Sequence, residues 1–242
     1  MPAMNCDGSA GVPPLAEKFT DRMPVLPTDI KPMSEIEEIQ IHKRRLPYWQ
    51  QSGLTYFVTF RLADSLPREK LEIWKAQKNA WLRLHPEPLS VTAEDEYHRL
   101  LTAQIEKWLD AGSGSCILKN RLLAQIVSDA LFFFDGSRYI LRAFVVMPNH
   151  VHVLFTPLAA HKMEDILHSL KSFSAKKINA VLGRSGQIWQ EEYWDRIIRH
   201  QRHYRAILCY ISDNPHEAAL REGEYILWQN DGEQKGAQVT HL

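Results

Sequence analysis

Strand-like segments alternate along this chain with segments of helical periodicity. The run from Leu54 to Leu62 is rich in β-branched and aromatic residues and is bounded by a glycine and a proline, which is typical of a strand. Residues 139–146 and 150–156 form two more such runs, and the three residues between them suit an antiparallel hairpin. A short fourth strand is predicted around residues 194–198.

Apolar residues spaced three or four apart predict helices in the remaining segments. Pro86 and Pro88 separate two helices in the first of these segments, and glycines and serines at 112–115 predict a hinge after them. Asn120 stands where the next helix needs its N-cap. The predicted helices lie within 67–111 (two helices), from Asn120 to Gly136, from Met163 to Gly183, and from about His200 to Asn214.

This order of elements predicts an α+β fold. Without a helical insertion at about 64–117 and without the last helix, it is the split βαββαβ pattern of a ferredoxin-like (RRM-like) antiparallel sheet packed with helices. Six of the 13 prolines lie within the first 32 residues, so residues 1–40 are predicted to be a disordered arm. The folded domain is then 41–220, followed by a C-terminal tail at 221–242.

Composition favours a soluble cytoplasmic protein. Of the 242 residues, 45% are hydrophobic and 24% are charged, and no apolar run approaches the length needed to cross a bilayer. The N-terminus lacks the basic start and apolar stretch of a secretory signal. Three scattered cysteines form no CxxC pair, which fits a reducing compartment and argues against a thiolate zinc site.

Net charge is zero, but basic residues concentrate near the C-terminal third. Between Ser169 and Arg205 there are eight lysines and arginines and three acidic residues, a local excess of 8 − 3 = +5. Such a patch could meet phosphates, and it equally fits the solvated face of a helix. The basic residues are Lys171, Lys176, Lys177, Arg184, Arg196, Arg199, Arg202 and Arg205.

The second strand of the hairpin carries a candidate metal site. Side chains alternate along a strand, so His150 and His152 share one face while Val151 and Val153 share the other. Two imidazoles about 7 Å apart along a strand can reach one divalent ion. The same pattern also fits two half-exposed histidines beside a hairpin, so a third ligand has to be sought elsewhere.

The last predicted helix supplies a phenol and an amide on one side. Tyr210 and Asn214 are four residues apart, so one could attack a substrate and the other could complete a metal site. Pro215 disfavours helical conformation at the residue before it, which predicts that Asn214 lies at a helix end or kink. The alternative is a helix terminus in which Tyr210 packs in the core.

Taken together, these segments resemble the HUH single-tyrosine transposases, and specifically the REP-associated tyrosine transposases, relatives of the small single-strand insertion-sequence transposases. The resemblance covers about 46–62 and 118–220. Two departures stand out: the insertion is absent from compact members, and Glu217 lies in a segment where relatives often carry a lysine. The matching segments are Thr55–Phe60, Ala143–Leu154, Ile188–Arg199 and Tyr210–Pro215.

The resemblance implies that Tyr210 is a nucleophile and that His150, His152 and Asn214 hold Mg²⁺ or Mn²⁺. Attack on DNA would leave a 5′-phosphotyrosine and a free 3′-OH, which conserves the bond for rejoining. The implied partner is single-stranded or hairpin DNA, and the protein would lie at the nucleoid when bound. The group that activates Tyr210 is not identified, and monomer and homodimer both remain open.

Family members of this kind recognise imperfect hairpins, which assigns DNA contacts to basic and aromatic residues. Two other readings remain: a histidine-triad hydrolase, which would need a histidine where Leu154 stands, and a ferredoxin-like module or domesticated transposase that binds hairpins without cutting. The expected backbone contacts are Lys171, Lys176, Lys177, Arg184, Arg199, Arg202 and Arg205. The expected stacking residues are Trp189, Tyr193 and Trp194, and Trp194 is also a core candidate.

Overall fold

The structure, a computed structural model, describes residues 40–44, 46–50, 53–86, 89–159 and 161–230. Strands and helices fill most of this part of the chain. The strands are β1 (Gln40–Arg44), β2 (Leu46–Gln50), β3 (Tyr56–Arg61), β4 (Tyr139–Val146), β5 (His150–Pro157), β6 (Trp194–Ile197) and β7 (Ile226–Gln229). The helices are α1 (Arg68–Leu84), α2 (Val91–Tyr97), α3 (Ala103–Asp110), α4 (Arg121–Phe133), α5 (Met163–Val181) and α6 (Gln201–Glu217).

Five of these strands form one antiparallel sheet in the order β6-β3-β5-β4-β7. Along the chain, β3, α4, β4, β5, α5 and β6 make the split βαββαβ unit, and its four strands have the order fourth, first, third, second. The predicted ferredoxin-like α+β fold is therefore confirmed. The helices α1 to α3 lie between β3 and α4, as the predicted insertion requires.

One face of the sheet packs against α4 and α5. Alternation places Tyr56, Val58 and Phe60 of β3 on this face, where they join apolar residues of both helices in the main core. The α4 helix begins as predicted, because the side chain of Asn120 accepts a hydrogen bond from the backbone N–H of Leu122 at 3.0 Å. Apolar side chains of α4 and α5 therefore cover this face of the sheet.

The opposite face packs against α6. Phe57 of β3 and Leu154 of β5 meet Ile207 and Ile211 of the helix in a second, smaller core. Residues on this face of β3 and β5 are therefore buried, although they alternate with the residues of the main core. Polar side chains on this face lie against α6 and away from solvent.

The end of α6 differs from the prediction. Pro215 lies inside the helix, which continues three residues past the predicted end to Glu217, so Asn214 lies in the last turn. Proline removes one backbone donor, but the turn still closes because the N–H of Ala218 donates to the carbonyl of Asn214 at 3.0 Å. Pro215 is also buried, so packing offsets the missing hydrogen bond.

The insertion has a small core of its own. Trp74 of α1 is buried among apolar residues of α2 and α3, and a π-helical turn (His98–Thr102) joins those two helices. Trp194 of β6 belongs to the same cluster, with its ring 5.9 Å from that of Trp74. Because Trp194 belongs to the sheet, the insertion packs on the α6 side of the sheet rather than standing apart from it.

The predicted hinge at 112–115 is a tight turn that returns the chain to the start of the insertion. Gly114 has a φ of +90°, and a Cβ there would lie 2.4 Å from the carbonyl oxygen of Asp64. The Asp64 side chain accepts a hydrogen bond from the N–H of Ser115 at 2.9 Å. Only glycine allows this approach of the two backbone segments.

Three predicted boundaries differ from the structure or fall outside it. Most of the predicted arm, residues 1–39, lies outside the described residues, and β1 pairs with β2 as a two-stranded ribbon from Gln40 onward. The predicted tail contains β7, which adds a fifth strand beside β4; its four residues are too few to show a period. Residues 231–242 lie outside the described part. Within that part, no helix is long and apolar enough to cross a membrane.

Candidate active site

The strand β5 places two histidines side by side on the α6 face of the sheet. His150 and His152 share this face, while Val151 and Val153 enter the main core. The Nε2 atoms of the two histidines lie 3.0 Å apart, and both side chains are fully buried. The expected convergence of the imidazoles is present. The alternative of half-exposed histidines is wrong, because helices cover this face.

Asn149 fixes the orientation of His150. Its Nδ2 donates to the carbonyls of Leu109 and Ser113 at 3.1 and 3.0 Å, so its Oδ1 faces the other way and lies 2.7 Å from Nδ1 of His150. An amide oxygen can only accept, so the imidazole must carry its proton on Nδ1. The Nε2 of His150 is therefore left with a lone pair that points toward His152.

His152 is held by the neighbouring strand. Thr59 lies directly opposite it in the β3–β5 ladder, and the Thr59 hydroxyl is 2.7 Å from Nδ1 of His152. Phe57 stacks on the imidazole with a centroid distance of 5.4 Å and an interplanar angle of 21°. A hydroxyl and an aromatic face thus set the position of this ring, and Nε2 is directed at the same point as that of His150.

Both imidazoles are neutral at ordinary pH. Burial lowers the pKa of His150 to about 3, and burial together with the neighbouring His150 lowers the pKa of His152 well below its usual value. Metal ligation by histidine requires the neutral ring. Neither ring therefore carries the additional proton of an imidazolium, which would prevent ligation.

The helix α6 brings Tyr210 and Asn214 to the histidines. The Tyr210 hydroxyl is 3.4 Å from Nε2 of His152, and the rings are 5.2 Å apart. Asn214, one turn later, is 2% exposed, and its Oδ1 accepts no hydrogen bond from the described residues. The structure therefore brings the sequence-predicted tyrosine to the histidines within one chain, and Asn214 lies one helical turn beyond the tyrosine.

Two acidic residues of the insertion also face this site, and sequence reasoning missed both. Asp110, at the end of α3, places Oδ1 3.7 Å from Nε2 of His150, and burial raises its pKa to about 7. Glu106, one turn earlier, is fully buried. The sequence offers one local signal for these residues, which is that the two carboxylates are four residues apart beside an apolar stripe. This spacing does not show which part of the molecule α3 contacts.

These acidic residues affect the tyrosine. Burial of the phenol, followed by the negative charges of Glu106 and Asp110, raises the pKa of Tyr210 well above its usual value, while a side-chain hydrogen bond with Asn214 acts in the opposite direction. Tyr210 is therefore protonated in this arrangement. Attack by its oxygen requires that the proton first has somewhere to go.

The residues present fit a divalent cation that uses an amide oxygen. No group of three or more His, Cys, Asp or Glu side chains in the described ranges is arranged to hold a metal ion. The Nε2 atoms of the two imidazoles, which share one hydrogen bond in the absence of a cation, and the orphaned Oδ1 of Asn214 could nevertheless supply two nitrogen ligands and one oxygen ligand. Such a buried acceptor without a partner calls for an explanation, and a cation provides one.

The predicted DNA-contact residues do not form one surface. Lys176 and Lys177 lie exposed on α5, whereas Arg202 is exposed and Arg205 half-buried on α6, on the opposite face of the sheet. Arg184 is exposed just beyond α5, and Arg199 is half-buried between β6 and α6. The single basic patch expected from the sequence is therefore divided, because neighbours in sequence are separated by the sheet.

The remaining predicted contact residues are less accessible. Lys171 donates to the carbonyl of Glu191 at 2.8 Å, and desolvation lowers its pKa to about 8. Trp189 and Trp194 are 4% and 6% exposed, so neither ring offers a face for stacking on a base in this conformation. Tyr193 is half-buried beside Lys171. Of the two interpretations of Trp194, the core residue agrees with its surroundings.

The chain combines a ferredoxin-like antiparallel sheet, two histidines on one strand and a tyrosine on the helix that faces them. The known proteins to which it is similar are transposases. Residues 123–214 match the family model described as "Transposase IS200 like", and this segment contains both histidines, Tyr210 and Asn214. This segment of the chain is therefore similar to that transposase family, in agreement with the sequence resemblance. No curated protein matches the chain.

Two solved structures are similar to the chain. One is a REP-associated tyrosine transposase bound to a REP hairpin, which is 20% identical, with 76% of this chain and 77% of that chain covered and a TM-score of 0.41. The other is a putative transposase from Deinococcus radiodurans R1, which is 17% identical, with 72% of this chain and 98% of that chain covered and a TM-score of 0.29. At these TM-scores neither likeness bears on activity.

Proposed function

We propose that this chain is a transposase that cuts and rejoins single-stranded DNA at hairpin repeats, with Tyr210 as nucleophile and a divalent metal at His150, His152 and Asn214. The observation that carries the proposal is the 3.4 Å distance between the Tyr210 hydroxyl and Nε2 of His152. A nucleophile beside two metal-ready imidazoles suits attack on a phosphodiester.

The reaction would be a direct displacement at phosphorus. The oxygen of Tyr210 attacks the scissile phosphate, and the 3′-oxygen of the upstream nucleotide leaves, so the downstream strand stays on the protein as a 5′-phosphotyrosine. Because the phosphodiester is exchanged and not hydrolysed, a 3′-OH can later reverse the step. No external energy source is required.

His150, His152 and Asn214 would hold the cation. A bound divalent cation would polarise the scissile phosphate and offset the negative charge that develops in the transition state. Two imidazoles with one amide oxygen suit Mn²⁺ better than Mg²⁺, since oxygen ligands alone are the usual choice of Mg²⁺. Asn149 and Thr59 would keep the two imidazoles in the ligating orientation.

The proposed substrate is an imperfect DNA hairpin with adjacent single-stranded bases, as in REP-like repeats, and it rests on the sequence resemblance to the REP-associated tyrosine transposases. The exposed arginine of α6, Arg202, lies on the same side of the sheet as Tyr210 and could meet the DNA backbone. The tyrosine and histidines of one chain already meet, so a monomer would suffice for cleavage.

A covalent-adduct assay tests the proposal. The full chain is incubated with Mn²⁺ and a 5′- or 3′-labelled single-stranded hairpin oligonucleotide from the repeats that flank its own gene, and the products are separated on a denaturing gel. We expect a labelled protein adduct with the 3′-labelled strand only, and no adduct with Tyr210→Phe, because that substitution removes the attacking oxygen.

Tyr225→Phe is the matched control, since Tyr225 also packs against the α6 core but lies outside the histidine site. It should form adduct at the wild-type rate. The second candidate function, a domesticated module that binds hairpins without cutting, is favoured by one observation: His150 and His152 are fully buried, so DNA does not reach them in this conformation. Hairpin binding by the wild type without any adduct would establish that function and reject cleavage.

A further inference from the structure

The strand β3 ends in an arginine that lies beside the candidate site. Arg61 is the last residue of β3, and alternation places its side chain on the same face of the sheet as Thr59, which contacts His152. In the β3–β5 ladder, Arg61 lies directly opposite His150. Residues paired in this way have Cβ atoms about 5 Å apart. Arg61 is therefore the cross-strand neighbour of the first histidine of the pair.

The guanidinium group of Arg61 is buried, and most of its donors have no acceptor. Arg61 is 1% exposed, and its Nη1 donates to Oγ of Ser65 at 3.2 Å and to the carbonyl of Leu62 at 3.5 Å. Its Nε and Nη2 have no hydrogen-bond partner among the described residues. A buried cation with orphaned donors has lost hydration that nothing in this conformation replaces, so Arg61 calls for a functional explanation.

The neighbours of Arg61 offset this cost only in part. The guanidinium carbon lies 5.4 Å from the centre of the Trp194 ring. Burial lowers the pKa of Arg61 to about 10 and the negative charge of Glu192 acts in the opposite direction, so the group is charged at neutral pH. A two-pronged ion pair with a carboxylate needs Nε or Nη2, and both atoms are orphaned. Glu192 therefore does not form such a pair with Arg61.

We propose that Arg61 binds a phosphate of the DNA strand that enters the histidine site. This inference rests on the proposed function and deepens it, because it adds a backbone contact from β3, outside the basic segment at 169–205. The parallel N–H groups of a guanidinium match two oxygens of one phosphate, and the orphaned Nε and Nη2 are such a pair. A phosphodiester would supply the missing acceptors together with a negative charge in direct contact.

The contact requires the insertion to move. Trp194, whose ring lies against the guanidinium, belongs to the apolar cluster of the insertion, and Ser65 lies at the start of that insertion. The proposed cleavage requires the insertion and α6 to separate, because both histidines are fully buried. The same opening would uncover Arg61. An unsatisfied buried cation destabilises the closed form and so favours the opening that DNA needs.

Neutralising one phosphate at a time tests the contact. Hairpin oligonucleotides that carry a single methylphosphonate, placed at successive positions along the single-stranded bases, are titrated with the full chain by fluorescence anisotropy. The Tyr210→Phe variant serves as parent so that the DNA stays intact. At the phosphate that Arg61 contacts, loss of the charge should weaken binding by the parent about 10- to 100-fold. The same methylphosphonate should have little effect on Tyr210→Phe with Arg61→Met, because the protein partner is already absent.

The same variant separates a binding role from a structural one. Methionine is of comparable length and carries no charge, so removal of an unsatisfied cation should leave the urea midpoint equal or higher. Arg61→Lys keeps the charge without the fork and should bind with intermediate affinity. The control is Arg142→Met. Arg142 is another buried arginine of the sheet, but its Nε donates to Thr156 at 3.4 Å, and its loss should leave the methylphosphonate profile of the parent unchanged.

Each outcome decides between the contact and the chemistry. If no phosphate distinguishes Arg61→Met from its parent, or if the variant has a lower urea midpoint and unchanged hairpin affinity, Arg61 is a structural residue and the inference is overturned. A phosphate coupled to Arg61, together with no covalent adduct when Tyr210 is intact, would establish the contact and reject cleavage. An adduct without any coupled phosphate would support cleavage and reject the contact.

Discussion

At the scale of single residues, the histidine pair depends on neighbours that carry no chemistry of their own. Asn149 sets the tautomer of His150, and Thr59 holds Nδ1 of His152. The alternation of β5 predicts the histidine pair but neither of these hydrogen-bond partners, although Asn149 directly precedes the first histidine. Such supporting hydrogen bonds determine how well a ligand pair binds its cation.

Thr59→Val is expected to weaken metal binding. Valine preserves the shape of the side chain but removes the hydroxyl, so His152 loses the partner that orients it and Nδ1 is left buried and unsatisfied. We expect Mn²⁺ affinity to fall about 10- to 100-fold, as is typical when such a partner is removed. Isothermal titration calorimetry with Mn²⁺ measures this directly.

The control is Thr55→Val. Thr55 is also buried on this edge of the sheet, but its hydroxyl pairs with that of Thr156 and does not touch either histidine. Its Mn²⁺ affinity should equal that of the wild type. Equal affinities in the two variants would show that the hydroxyl of Thr59 does not orient the ligand.

Some residues of the candidate site could be paired from local sequence patterns, and others could not. His150 with His152, and Tyr210 with Asn214, are each related by a local period, so strand alternation and helical spacing paired them correctly. The role of each remains a prediction. Glu106 and Asp110 were missed because their relation to the histidines arises only when α3 packs against the β4–β5 turn, which no local period encodes.

At the scale of elements, most helices and strands were predicted because their periods and caps are local. Asn120 begins α4 as expected, and the β4–β5 hairpin has the expected three-residue connection. The helix α6 ends three residues later than predicted, because its buried last turn accommodates Pro215. The strand β7 escaped prediction because its pairing with β4 is non-local.

The turn that closes the insertion gives a prediction at this scale. Gly114→Ala adds a methyl group at φ +90°, 2.4 Å from the carbonyl oxygen of Asp64, so the two backbone segments must separate. We expect the free energy of unfolding to fall by about 2 kcal/mol or more, from left-handed strain and overlap together. Urea unfolding followed by circular dichroism measures the change.

Gly112→Ala is the matched control for that substitution. Gly112 has a φ of +70°, but an added Cβ would meet nothing within 4 Å. Only the strain remains, which costs about 1 to 2 kcal/mol. If the two alanine variants are equally stable, the close approach to Asp64 contributes nothing and the turn is looser than the structure indicates.

At the scale of the whole molecule, the site lies where α6 and the insertion meet over the sheet, a contact that we call the seam. Both histidines are fully buried, so the proposed cleavage requires these two parts to separate before a scissile phosphate can reach the histidines. DNA that enters there approaches from the α6 side of the sheet, whereas the lysines of α5 lie on the other side. The two sets of basic residues should therefore contribute unequally to binding.

Salt dependence can distinguish the two sets. Replacing Arg202 and Arg205 of α6 by glutamine should weaken hairpin binding and flatten the slope of log K against log salt by about 0.7 to 0.9 for each phosphate that is no longer neutralised, since fewer counterions are released. The paired change Lys176→Gln and Lys177→Gln removes the same charge from α5 and should leave the slope nearly unchanged. Fluorescence anisotropy across a salt series gives both slopes. The reverse order would mean that DNA lies along the α4 and α5 face, and then the route through the seam to Tyr210 could not be the one that the bound strand takes.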